Sequence, residues 1–284
     1  MTVSRGLEQV APRPAWMRSV AANVARYFAL LTRRPRHAHR SAWLAPLRLA
    51  GGGILVVAAL AASMIALDAW TIELVVQGLP DWLIITLNRA TDLGKATLFL
   101  LPLALALAAL ALIASPALSR TAKGVVAAVA VRLGFLLLAV GLPALVFLVV
   151  KHVIGRARPL VEGTADPFIY RPLAWTWDYA SLPSGHAVDA FAIAMALGAL
   201  WPRLRALLWT YACVIAVSRV VLRAHFPSDV AAGAMIGVLG ALLVREWFAA
   251  RGLAFLPTAE GGLRPLPWPS FARVRRVARQ LIAS

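Results

Sequence analysis

LGFLLLAVGLPALVFLVV, residues 133–150, contains no ionisable side chain and runs directly into Lys151. It is close to the roughly 20 apolar residues that a bilayer-crossing helix needs. Working outward, five more apolar segments appear at 54–67, 96–114, 187–200, 204–221 and 230–244. Some are shorter than a full span, so flanking residues must contribute to the crossing. The chain is 61% hydrophobic and 14% charged, with mean hydropathy +0.77. This composition points away from a soluble enzyme and towards an all-α polytopic membrane protein with six transmembrane helices.

The formal net charge of +17 invites a nucleic-acid reading, but its distribution argues for membrane orientation instead. Residues 1–49 hold nine arginines against one acid, Glu8, and no signal-peptide core precedes them. They are expected to form an uncleaved cytoplasmic tail. Segment 68–95 carries Asp68, Glu73, Asp81 and Asp92 against Arg89 and Lys95, and is expected to be an outside loop. Arg120, Lys123 and Arg132, then Arg203 and Arg205, and then the arginines after 244 fall inside if the N-terminus is inside. Both termini are then cytoplasmic, and loops 151–186 and 219–229 lie on the opposite face. For a bacterial inner (plasma) membrane that face is the periplasm.

The expected organisation is a basic tail (1–49), a six-helix membrane domain (50–250) and a C-terminal segment (251–284). Within the first tail, Trp16, Val20, Val24, Tyr27, Phe28 and Leu31 share a helical face opposite Arg18, Arg26 and Arg33. Near the other end, Phe271, Val274, Val277, Ala278, Leu281 and Ile282 form a similar stripe. Both stripes are expected to lie on anionic lipid. Residues 257–269 hold four prolines and are expected to form an extended linker. Cys213 is the only cysteine, so the chain has no internal disulfide and no Cys-based metal site.

Three polar clusters interrupt this apolar pattern. Lys151 and Arg158-Pro159 close the third helix, a place where two cations can clamp a phosphate. Pro183-Ser184-Gly185-His186 precedes the fourth helix. Ser184 can cap that helix, the N–H groups of Ser184, Gly185 and His186 can face an anion, and the His186 imidazole can supply a proton. Ser218-Arg219 ends the fifth helix, with His225 and Asp229 around Pro227 at the start of the sixth. Asp229 can reach back to one nitrogen of His225 and make the other nucleophilic towards phosphorus. The topology, set by charges elsewhere, puts all three clusters on the outer face. Loop aromatics Phe168, Tyr170, Trp175, Trp177 and Tyr179 suit the mouth of a lipid-accessible site there.

Lys151, six residues, Arg158-Pro159; Pro183-Ser184-Gly185-His186; and Ser218-Arg219, five residues, His225, three residues, Asp229 resemble the signature of the type 2 phosphatidic acid phosphatase (PAP2) superfamily. The resemblance runs from 151 to 229 and leaves both tails outside it. It implies that His225 forms a phosphohistidine, Asp229 orients it, and His186 protonates the leaving oxygen and later activates water. It further implies that Lys151, Arg158, Arg219, Ser184 and Gly185 hold the phosphoryl oxygens, with no cofactor and no metal. Arg156, Arg223 and Asp189 are further charges nearby whose roles the pattern does not fix.

The expected substrate is a phosphorylated membrane lipid presented from the outer leaflet. Candidates are undecaprenyl diphosphate, phosphatidylglycerol phosphate, phosphatidic acid and lipid A, which the sequence does not separate. A lipid-to-lipid phosphotransferase on the same site, or a non-catalytic anion or lipid transporter, are the alternative readings.

Overall fold

The computed structural model describes residues 14–36, 46–76, 78–114 and 118–283. Much of the basic tail, including Arg5, Glu8, Arg13 and Arg40, falls outside the described residues, as do the side chains of Trp16 and Ile282.

Helix α1 (Ala15–Thr32) is followed by α2 (Pro46–Ser63), which passes through a π-helical turn (Met64–Asp68) into α3 (Ala69–Val76). Then come α4 (Asp81–Asp92), α5 (Ala96–Ile113), α6 (Arg120–Ile154), α7 (Gly185–Leu200), α8 (Arg205–Val221) and α9 (Pro227–Ala250). A short antiparallel hairpin of β1 (Phe255–Pro257) and β2 (Leu263–Pro265) precedes α10 (Phe271–Ala283). Among the described residues, five helical stretches are long and apolar enough to cross a membrane: Ala50–Val75, Asp81–Ile113, Arg120–Ile154, Pro202–Val221 and Pro227–Ala250. The apolar helix Gly185–Leu200 is shorter. The chain is an integral membrane protein, and its described residues are mostly helical.

Helix α7 forms the centre, with most of its residues buried against α6, α8 and α9. Small residues make this close packing possible, as is usual where lipid supplies no hydrophobic drive for association. A Cβ at Gly233 or Gly237 of α9 would strike the Ser184 or Val188 carbonyl, and one at Gly240 would strike the Pro143 ring. The main apolar core joins α6, α7 and α9 through Phe135, Ala139, Ala192, Ala196 and Phe248. Phe135 sits edge-on to both Phe248 and Phe255.

Four stretches differ from what the sequence suggested. Segment 68–95 is not an open loop: Asp68 lies inside the first long helical stretch, fully buried, and Asp81–Asp92 is helical. The acid tolerates that depth because it is paired, as described below. The proline-containing stretch 257–269 is not simply extended. Its hairpin is tied to α6 by Arg132, which donates to the Leu266 and Pro267 carbonyls at 2.9 Å each and lies over the Trp268 ring. Finally, each tail helix spends part of its apolar stripe on protein. Val274, Val277 and Leu281 of α10 pack on Ala122 and Val125 of α6. In α1, Tyr27, Leu30 and Leu31 pack on the main core, while Asn23 donates to the Ala111 and Ala114 carbonyls at the end of α5.

Candidate active site

The ends of α4, α6 and α8 and the starts of α5, α7 and α9 meet at one end of the bundle. Lys151 lies in the last turn of α6, which closes on Gly155 at φ 63°. A side chain at Gly155 would run into the Arg171 carbonyl, so glycine is required where the chain turns into the loop. Ser184 is the N-cap residue of α7, and Gly185 and His186 are its first two helical residues. Arg219 lies in the last turn of α8, and Pro227 opens α9 with Asp229 in its first turn.

These elements enclose a cavity of about 710 Å³ whose lining includes Lys95, Lys151, Arg158, Gly185, His186, Asp189 and His225. The rest of its wall runs down between α5 and α6 over Leu100, Leu138, Gly141, Leu145 and Leu148. It is therefore an amphipathic cleft, cationic at one end and aliphatic along its length.

His225 is 2% exposed, and its Nδ1 lies 2.9 Å from the Ser181 carbonyl oxygen. A carbonyl can only accept, so Nδ1 carries the proton and the Nε2 lone pair is left for the cavity. Burial, with Arg158 and Arg219 close by, pushes the imidazole down to about 4 against the opposing pull of Asp229. It is thus neutral at physiological pH, the state in which Nε2 is a nucleophile.

The geometry amends one sequence expectation. Asp229 Oδ2 stands 3.8 Å from His225 Nδ1, so it acts on the ring through charge, while the Ser181 carbonyl makes the orienting hydrogen bond. The Asp229 carboxylate is held by Ser181 Oγ and Arg156 Nη1 at 2.6 Å each and by the Phe226 N–H at 2.9 Å.

Arg158 donates to the Trp177 and Ala224 carbonyls at 3.0 and 2.9 Å and stacks 3.7 Å from the Trp177 ring centroid. Burial and the neighbouring Arg219 lower it to about 10, still protonated at neutral pH. Arg219 donates to Thr91 Oγ1 at 3.1 Å. Lys151 Nζ lies 5.4 Å above the Phe147 ring centroid. Three cations therefore converge, and their carbonyl, hydroxyl and ring neighbours orient them without neutralising them.

At the start of α7 the Ser184 N–H is not free, because it donates to the Asp229 carbonyl at 3.0 Å. The remaining anion-facing donors there are the N–H groups of Gly185 and His186, which precede the first intrahelical bonds. The Ser184 hydroxyl makes no capping bond, and its buried Oγ lacks a partner among the described residues.

All eight residues singled out in the sequence lie at this end of the bundle. Sequence reasoning missed Ser181, Ser228, Thr91 and Asp68, and left Arg156 without a role. Asp68 sends a signal in hindsight: a carboxylate directly after the apolar run 54–67 is costly unless it has a partner. Ser181, Ser228 and Thr91 send none, since hydroxyl residues at helix ends are commonplace.

The family model described as PAP2 superfamily matches residues 132–253. A lipid A 1-phosphatase of Rhizobium johnstonii is 35% identical over 128 residues, which is 45% of this chain and 50% of that protein. A putative undecaprenyl-diphosphatase of Escherichia coli, YbjG, is 34% identical over 103 residues, 36% of this chain and 49% of its own length. The chain spans about half the length of the curated relatives it matches. Among solved structures, Aquifex aeolicus LpxE covers 64% of this chain and 96% of its own at 24% identity, with a TM-score of 0.46.

Proposed function

We propose that the chain, whose residues 132–253 match the PAP2 superfamily model, is a membrane lipid phosphatase working through a phosphohistidine. The observation that carries this reading is the tautomer of His225. Its Nδ1–H is committed to the Ser181 carbonyl and its Nε2 is left for a cavity lined by Lys151 and Arg158, with Arg219 beside Arg158.

In the first step His225 Nε2 attacks phosphorus, the P–O bond to the lipid breaks, and His186 gives the leaving oxygen its proton. In the second, His186 takes a proton from water, whose oxygen forms the new P–O bond as the P–Nε2 bond breaks, releasing phosphate and neutral His225. Lys151, Arg158, Arg219, the Gly185 N–H and the Ser184 hydroxyl bind the phosphoryl oxygens throughout. Phosphoryl transfer is governed by such positioning and charge stabilisation, so the step needs neither a metal nor a cofactor.

The aliphatic wall between α5 and α6 supports a lipid as the molecule that carries the phosphate. Lipid A is the leading candidate, by the relative in Rhizobium johnstonii, and undecaprenyl diphosphate is next. We read Gly185–Leu200 as a sixth crossing beside the five longer ones. With the basic tails held in the cytoplasm, the site then opens on the periplasmic face of the inner membrane.

The deciding experiment is phosphate release by the purified protein in detergent from lipid A, undecaprenyl diphosphate, phosphatidylglycerol phosphate and phosphatidic acid, with His225→Ala as control. Release from at least one lipid, lost in the variant with folding retained, is the expected result. Turnover by His225→Ala near the wild-type rate removes the nucleophile assignment.

A further inference from the structure

Beneath the site lies a charge network that the phosphatase reading leaves unused. Asp68, in the π-helical turn of the first long helical stretch, is 0% exposed. Its Oδ1 accepts from the Ser228 N–H at 3.0 Å, and its Oδ2 accepts from Arg156 Nη2 at 2.8 Å and from the Ser228 hydroxyl. Arg156, equally buried, donates from Nη1 to Ser228 Oγ at 2.7 Å and to Asp229 Oδ1 at 2.6 Å, and from Nε to the Pro167 carbonyl at 2.9 Å. Its guanidinium covers the Phe226 ring at 4.5 Å. Although burial opposes the charge, Asp229 and Asp68 together hold Arg156 firmly protonated.

We propose that Asp68 is a positioning residue for phosphoryl transfer: it neutralises Arg156 so that the Asp229 carboxylate keeps a full negative charge beside His225. The inference rests on the phosphatase reading above. Arg156 is shared by two carboxylates, so the buried group carries one net negative charge. His225 is neutral before the reaction. When Nε2 bonds to phosphorus while Nδ1 keeps its proton, the ring becomes cationic, and the surplus charge on Asp229 is placed to stabilise it.

Without Asp68, Arg156 and Asp229 form a neutral pair and that stabilisation is lost. The same carboxylate fixes the first turn of α9 through the Ser228 N–H, and so sets where Asp229 stands. An acid buried in an apolar helix at a π-helical turn is unusual enough to call for such a role. Asp68 lies outside the 132–253 region that the family match covers.

The test is the rate and amplitude of phosphoenzyme formation by the full-length protein in detergent, using ³²P-labelled phosphatidic acid and any preferred lipid found in the panel above. Asp68→Asn keeps the shape and removes the charge. It should slow phosphoenzyme formation about 10- to 100-fold, the range set by losing a hydrogen-bonded charged partner. The burst amplitude per mole and KM should stay at wild-type values. Asp68→Asn/Arg156→Met restores one net negative charge and should be faster than Asp68→Asn alone.

A double variant slower than the single, or an Asp68→Asn rate equal to wild type, overturns the proposal. Should Asp68→Asn alone not fold, Arg156→Met is compared with Asp68→Asn/Arg156→Met instead. With Arg156 gone, removing the Asp68 charge should change the burst rate by no more than about threefold, and a further loss of about tenfold or more overturns the proposal. Wild-type protein that forms no acid-labile, base-stable phosphohistidine would instead defeat the phosphatase reading itself.

Discussion

Gly185→Ala adds one methyl group at the first residue of α7, and its new Cβ would lie 2.7 and 2.8 Å from Cε2 and Cζ of Phe147. Carbon atoms rest about 3.5–4.0 Å apart, so roughly 1 Å of movement is needed. Either of the two yielding parts belongs to the site. Phe147 underlies Lys151, and the backbone of Gly185 and His186 carries the anion-facing N–H groups and the proposed acid. Overpacking of this size costs about 1–3 kcal/mol of stability. A misplacement near 1 Å costs on the order of 100-fold in rate.

We expect kcat/KM for lipid phosphate hydrolysis to fall about 100-fold, with Tm in detergent lowered by several degrees. Phe147→Leu removes the two clashing ring carbons, so Gly185→Ala/Phe147→Leu should recover to within about tenfold of Phe147→Leu alone. A Gly185→Ala enzyme at the wild-type rate, or a deficit that Phe147→Leu leaves untouched, refutes the steric reasoning. The second outcome would mean that the glycine serves close approach of the phosphate to the backbone.

Ser184→Ala should lower kcat about 10- to 100-fold, the value of a hydrogen bond to a charged group. Because Oγ has no protein partner among the described residues, thermal unfolding should shift by less than about 0.5 kcal/mol. Activity should survive EDTA and be inhibited by vanadate; loss on chelation that Mg²⁺ restores would contradict the proposed metal-free route. His225 titrates near 4 in the fold against about 6.5 unfolded, so the unfolded chain binds more protons between these values. Stability is therefore lost as pH falls from about 6.5 to 4, by an amount on the order of 3 kcal/mol. Melting curves across that window should be flatter for His225→Gln than for wild type, and parallel curves would show that the buried imidazole is not the cause.

The apolar runs and the distribution of arginine make the membrane fold legible in the sequence alone. Both are local properties, set by the length of a bilayer-crossing helix and by the charge of the flanking loops. The site was legible for a related reason. Its members sit at helix ends, where Pro159, the Ser184-Gly185 pair and Pro227 mark the position of each cluster, and the fold gathers the three clusters at one end of the bundle. Sequence therefore indicated a helical membrane protein and the eight site residues at one end of it, but not Ser181, Ser228, Thr91 or Asp68 among their partners.

What the tertiary structure decided is how they are wired. Asp68 reads as a loop acid from its acidic neighbours, and only the folded chain brings it to Arg156 and Ser228, 88 and 160 positions away. The spacing of His225 and Asp229 suggests a direct hydrogen bond, yet the Ser181 carbonyl occupies Nδ1 and leaves Asp229 at 3.8 Å. A hydrogen bond is fixed within tenths of an ångström, whereas sequence spacing places two side chains on the same turn and no closer. The choice of partner then falls to whichever buried group most needs one.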